Sequence, residues 1–173
     1  RKYDILKVFI TTKYKVHRTK GNREMILENE KIKQALEYIK EEDPATTQDT
    51  LNMCQIPAPS YKEEKKAEYI RERFWEIGLR DVRIDAVGNV LGIWPGTGEG
   101  PSVMLAAHTD IVFPEGTDLS IRKEGNRYYC PGINDDTHAV AEMIAVAKAM
   151  IHADLHTKGD LIFCCLLYTS DAA

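Results

Sequence analysis

Val103-Met-Leu-Ala-Ala-His-Thr-Asp110 is the stretch on which the fold turns. Its apolar run, Val103 to Ala107, has strand length and no alternation, which predicts a buried central strand of an α/β sheet. The run ends in His108, and Asp110 lies on the same side of an extended chain. Further on, Pro131-Gly-Ile-Asn-Asp-Asp136 sets an Asp pair behind a Pro-Gly turn. Open α/β sheets present their reactive groups beyond the carboxyl ends of their strands. The two stretches therefore mark one end of the sheet as the candidate site.

Working outward, Leu161 to Cys164 predicts a further buried strand after the turn Lys158-Gly-Asp160. Ala139 to Ile151 is Ala-rich and apolar on most sides, which predicts a buried helix. Between them and the strand, Leu119 to Arg122 and Tyr128 to Cys130 read as a hairpin around Glu124-Gly-Asn126. Upstream, Val82 to Ala86 alternates as a half-buried strand, Gly88-Asn89 turns, and Val90 to Trp94 returns as a second strand. Pro95 to Pro101 is Gly-rich but lacks the Lys-Ser/Thr ending and the following helix of a phosphate cradle, so it reads as a connecting loop. Ser60 with Glu63 forms a capping box for a helix that carries Ala67, Ile70, Phe74 and Ile77, with Gly78 closing it. Tyr69, Phe74 and Trp75 read as helix and core residues. Ile56-Pro-Ala-Pro59 before it is forced into an extended loop. Met25 to Glu42 predicts a helix with Ile32, Leu36 and Ile39 on one stripe, ended by Pro44. Thr46 or Thr47 is then placed to cap a short helix through Leu51 and Cys54. Helices alternating with apolar strands give the fold class: α/β, a mixed sheet with helix-covered faces.

Composition narrows the function. With 43% hydrophobic and 29% charged residues the chain can bury a core, and a formal net charge of -4 argues against a nucleic-acid partner. No apolar run approaches the roughly 20 residues that span a bilayer. Arg1 to Thr12 lacks the apolar stretch and cleavage site of a signal peptide. Cys54, Cys130, Cys164 and Cys165 show neither metal-ligand nor disulfide-dense spacing, so free thiols and a cytoplasmic location are expected. Arg1 to Glu24 is basic and without apolar period. It is expected to be an extension upstream of a start at Met25.

The chemistry sits in His108, Asp110 and Asp135. Catalytic zinc takes His nitrogen and carboxylate oxygen and keeps a position open. A carboxylate behind the imidazole fixes its tautomer, the part Asp110 is placed to play. Asp135 could bridge two metals about 3.5–4 Å apart. Spacing alone leaves another reading open, in which His108 and Asp110 are a satisfied loop pair and Asp135-Asp136 caps the next helix. His138 could add a ligand or simply cap or face solvent. His152 and His156 could pair on one helix face. Cys130 reads as a small buried hydrophobe.

Met104-Leu-Ala-Ala-His-Thr-Asp-Ile-Val-Phe-Pro-Glu-Gly-Thr-Asp118 with Tyr129-Cys-Pro-Gly-Ile-Asn-Asp-Asp136 closely resembles the zinc exopeptidase family of peptidase T, carnosinase, acetylornithine deacetylase and succinyl-diaminopimelate desuccinylase. Ile56-Pro-Ala-Pro-Ser60 and Asp85-Ala-Val-Gly-Asn-Val90 match in type and order, and the resemblance covers roughly Thr46 to Cys164. It implies that His108 ligates one zinc, that Asp110 orients the site without binding metal, and that Asp135 bridges two zinc ions, for which Co2+ or Mn2+ can substitute. It also implies a cis peptide bond between Asp135 and Asp136. Many members carry Lys-Gly after the Asp pair, whereas Thr137-His138 stands here, which weakens any assignment to a substrate subgroup.

The implied activity is hydrolysis of amide bonds in short peptides, as in tripeptide aminopeptidases. An N-acyl-amino-acid deacylase of the same family is the alternative, and a non-catalytic α/β binding module is the reading from another class. The resemblance further implies a Glu-Glu pair soon after the strand at Leu161, one Glu being the general base. Here the chain reads Cys165-Leu-Leu-Tyr-Thr-Ser-Asp-Ala-Ala173, and no Glu follows Glu142. Those residues can be encoded by the end sequence of a common transposon-based sequencing adapter. The expectation is therefore that residues 25–164 are the first half of a catalytic domain and 165–173 a foreign tail. The later ligands and a domain that would form a homodimer then lie elsewhere, and the chain as written is inactive.

Overall fold

The computed structural model describes residues 26–167. The expected start at Met25, the segment before it and residues 168–173 lie outside this range.

Among the described residues, three helices lead into the sheet. Helix α1 (Glu30–Glu41) is capped by Asn29, whose side chain accepts from the amides of Lys31 and Ile32. Its inward contacts come from Ala35, Tyr38 and Ile39, while Leu36 is exposed. Of the expected stripe, Ile32 and Ile39 are half-buried, whereas Ala35 takes the inward place expected of Leu36. Helix α2 (Asp43–Cys54) begins at once, with Pro44 in its first turn. Proline is tolerated there because its missing N–H would lack a helical partner anyway. Neither Thr46 nor Thr47 caps it, and the Thr46 hydroxyl instead donates to the Glu42 carbonyl. Helix α3 (Glu64–Glu76) starts later than the capping box predicts, with no side-chain cap at Glu63. It buries Ala67, Ile70 and Phe74, but Trp75, adjacent in sequence, points outward at 72% exposure.

The sheet follows with strand order β1-β2-β6-β3. Strands β1 (Arg80–Ile84) and β2 (Val90–Trp94) form an antiparallel pair. Their turn is held by Asp85, whose Oδ1 accepts from the amides of Val87 and Asn89. Strand β3 (Val103–His108) is followed by a hairpin of β4 (Arg122–Glu124) and β5 (Arg127–Tyr129). After an irregular turn (Ile133–Thr137), whose backbone is non-helical at Asp135 and Asp136, come helix α4 (His138–His152) and strand β6 (Leu161–Leu166). β6 runs antiparallel to β2 and parallel to β3, with Phe163 opposite both Gly92 and Leu105 and with His108 opposite Leu166. Strand pairing thus extends through Cys165 and Leu166.

The core lies where α3 and α4 meet the face carrying Leu161, Phe163 and Cys165. Phe74 meets Phe163 edge-on, with ring centroids 6.5 Å apart. Among the described residues β3 is an edge strand rather than the expected central one, and Met104 is 48% exposed. An apolar run records a tendency to be covered; it does not count neighbours.

The amino ends of β3 and β6 are fastened by glycines. A Cβ on Gly96 would collide with the Gly159 carbonyl, and one on Gly159 with the Pro101 carbonyl. Two backbone strands can lie that close only without side chains.

Phe163 is fully buried at the centre of this core. Phe163→Ala is expected to lower the unfolding free energy by about 3–5 kcal/mol, measured by urea denaturation. A loss below about 1 kcal/mol would place the core elsewhere.

Candidate metal centre

His108 is the last residue of β3, half-buried, and both ring nitrogens are engaged. Nδ1 lies 3.1 Å from Asp110 Oδ1 and 3.1 Å from the Asp110 carbonyl oxygen. Two acceptors there place the ring proton on Nδ1. Nε2 faces Asp135 Oδ1 at 2.9 Å. The backbone amide of His108 donates to Asp136 Oδ2 at 3.1 Å. One residue thus gathers three carboxylates from two separate stretches of chain.

Each carboxylate arrives by a different local device. Asp110 is 2% exposed. Its Oδ2 accepts from the Ser60 hydroxyl at 3.2 Å. Ser60 reaches it because Pro57 and Pro59 hold the preceding loop extended, and Pro59 forms a β-bridge with Ile111 while the Ile111 amide donates to the Ala58 carbonyl. Asp135 and Asp136 sit in the irregular turn, which Gly132 enters at φ 74, a left-handed conformation suited to glycine. The peptide bond between Asp135 and Asp136 is cis, as the resemblance implied. The Asp135 side chain is 73% exposed, so the open side of the site lies there.

The electrostatics follow from these contacts. Burial opposes the charged His108 ring, but the hydrogen bond to Asp135 and the charges of Asp136 and Asp110 outweigh it and hold its pKa above the ordinary value. Burial pushes the Asp136 carboxyl up, against the pull of the His108 amide.

The donor set suits a divalent cation. With Nδ1 protonated, a neutral His108 turns the Nε2 lone pair toward a carboxylate oxygen. Two acceptors at that distance need a proton or a cation between them. Imidazole nitrogen and carboxylate oxygen are the donors zinc takes. The fit is partial: among the described residues no cluster of three or more His, Cys, Asp or Glu side chains forms a complete metal site.

The other candidates fall away from the centre. His138 pairs with Glu142 one helical turn on, with Nε2 and Oε1 3.1 Å apart. His152 stacks on Tyr38, whereas His156 lies beyond the helix, stacked on Trp94, so the two do not share a helix face. Cys130 is half-buried, and its thiol donates to the Leu119 carbonyl at 3.4 Å.

Sequence reasoning missed two residues. Ser60 read as a helix cap, and the signal for its real position was the Pro-flanked loop that keeps the helix from starting there. Lys66 is not singled out by any sequence pattern, yet it is fully buried and donates from Nζ to Thr137 Oγ1 at 2.8 Å. Burial brings its ammonium down to about 8, although nearby Cys54, Cys165, Asp110 and Asp136 act in the other direction. The same burial pushes the Cys54 thiol up to about 12.

Fold and site together give a mixed α/β sheet bearing a His and carboxylate cluster at a strand end. The model of Peptidase family M28 matches residues 89–167, from the turn before β2 to the end of β6, which contains all four site residues of this cluster. A Pyrococcus abyssi protein named as a LysW-lysine/LysW-ornithine hydrolase is 43% identical over 60 residues, 35% of this chain and 17% of that protein. Among solved structures, a di-peptidase from Saccharomyces cerevisiae superposes with a TM-score of 0.67 at 17% identity, over 78% of this chain and 34% of that one. A tripeptidase from Staphylococcus aureus gives 0.61 at 21% identity, over 70% and 35%. A Bacillus subtilis protein described as a dinuclear metal binding peptidase from the M20 family gives 0.54 at 17% identity, over 73% and 35%. These identities show a shared fold. The resemblance read from the motifs is borne out: the chain is similar to exopeptidases and hydrolases. It spans about a third of the length of those structures.

Lys66 provides a test of the buried arrangement. Its folded pKa of about 8 lies below the ordinary 10.5. Below pH 8 both states carry the proton; between the two values the unfolded chain binds more protons, so stability rises with pH there. The unfolding free energy of wild type minus that of Lys66→Met should therefore rise by about 3 kcal/mol between pH 7 and pH 11. Denaturant melts at the two pH values measure it. A flat difference would mean that the ammonium is solvated.

Proposed function

We propose that this chain is part of a dinuclear-zinc metallopeptidase that hydrolyses amide bonds of short peptides, in the manner of a tripeptide aminopeptidase. The observation that carries the reading is the 2.9 Å approach of His108 Nε2 to Asp135 Oδ1, with Nδ1 already committed to Asp110. His108 would hold one zinc ion, and Asp135 would bridge it to a second. Asp110 acts as the orienting carboxylate, fixing the tautomer that leaves Nε2 free. Asp136 holds the strand end by its bond to the His108 amide. When bound, the metal supplies Lewis acidity toward an amide carbonyl and toward water. The fold shared with di- and tripeptidases, one of them described as dinuclear and metal-binding, supports this assignment.

The second reading is a deacylase acting on an N-acyl amino acid. It is favoured by the relative named for LysW-lysine and LysW-ornithine hydrolysis rather than as a peptidase. Cytoplasmic location suits the free cysteines Cys54, Cys130, Cys164 and Cys165. No helix among the described residues is long and apolar enough to cross a membrane. A homodimer would form through a domain that the described residues do not include.

Zinc titration by calorimetry tests the site. His108→Ala and Asp135→Ala should abolish measurable binding, and Asp110→Ala should weaken it about 10–100-fold, the usual effect of losing an orienting partner. Zinc binding indifferent to all three substitutions would instead identify a non-catalytic module. A longer reading of the gene, assayed on tripeptides and on N-acetyl amino acids, then separates peptidase from deacylase.

A further inference from the structure

We propose that Lys66 is a positioning residue of this site: its buried ammonium ties the turn carrying Asp135 and Asp136 to α3, and so keeps the Asp136 carboxylate on the His108 amide. Lys66 lies near the start of α3, among the inward positions Ala67, Ile70 and Phe74, where an apolar side chain would satisfy packing. It is fully buried all the same. Its Nζ donates to Thr137 Oγ1 at 2.8 Å, and Thr137 is also fully buried.

Thr137 is the hinge of the arrangement. It follows Asp136 directly, and its amide closes the turn on the Gly132 carbonyl at 3.3 Å. Fixing the Thr137 side chain against α3 therefore fixes the far end of the turn whose near end is Gly132. Asp136, between them, accepts from the His108 amide at 3.1 Å. The charge is matched as well as the geometry. Asp110 and Asp136, with the Cys54 and Cys165 thiols, favour the charged form of Lys66 against its burial. A neutral side chain of the same shape would fill the space and supply neither the donor nor the charge. Position 66 thus joins three segments far apart in sequence: α3, the strand end at His108 and the turn before α4.

The proposal concerns the site assigned above, and it depends on the metallopeptidase reading only in its zinc arm. Amide hydrogen exchange on the 173-residue chain without metal is the direct measurement. Lys66→Met and Thr137→Val should each speed exchange of the His108 and Thr137 amides at least about tenfold relative to the Phe163 amide in β6, and Thr137→Ser should restore protection. The double variant Lys66→Met/Thr137→Val should be no faster than either single one, because both remove the same bond. Unchanged exchange at His108 and Thr137, or acceleration shared equally by Phe163, would overturn the proposal, since the latter describes general destabilisation. In the zinc arm, Lys66→Met should weaken affinity about tenfold; unaltered affinity in a chain whose binding requires His108 also counts against it. Zinc binding that ignores His108 overturns the metallopeptidase reading instead, and hydrogen exchange still decides the role of Lys66.

Discussion

A carboxylate shut away from water must have its oxygens bonded or lose its charge, and Asp110 obeys that constraint at 2% exposure. One oxygen takes the His108 ring and the other the Ser60 hydroxyl. Much of the surrounding structure is arranged to make this possible. The loop with Pro57 and Pro59 must stay extended to deliver Ser60, and α3 gives up the cap that its sequence offers. Glu63, the other half of that box, turns to the Tyr61 amide at 2.8 Å instead. Local propensity yields here to a tertiary demand, as happens most often where a chain carries function.

The parts that were readable in the sequence are those governed by period and turn chemistry. Strand β2 falls on Val90–Trp94 as the alternation and the Gly88-Asn89 turn require, and α4 follows the Ala-rich run almost to the residue. The meeting of His108, Asp110 and Asp135 was readable because short motifs carried it, and the cis bond because a family resemblance did. Ser60 and Lys66 were not, for different reasons. A serine before a helix has two possible partners, and only the fold chooses. A lysine on an amphipathic helix is almost always solvated, so nothing in its neighbours along the chain marks Lys66 as buried. The edge position of β3 was equally hidden, since strand neighbours are set by pairing across the chain.

The site has a closed side and an open one. Asp110, Thr137 and Lys66 lie sealed behind His108, whereas Asp135 stands in solvent. Order is thus concentrated behind the imidazole, and the face that would meet a ligand is left wet. Asp135 Oδ1 lies 2.9 Å from Nε2 on that open face, where a proton and a cation would compete for one place.

The glycines at the opposite end of the sheet bear on this site without approaching it. β3 and β6 leave the contact among Gly96, Pro101 and Gly159 side by side, and a parallel pair slipped by one residue would turn every side chain to the other face. His108 points where it does because the count of residues from that seam is fixed. The orientation of the His108 ring therefore rests on positions at the other end of the sheet, where the space left for a side chain is none at all.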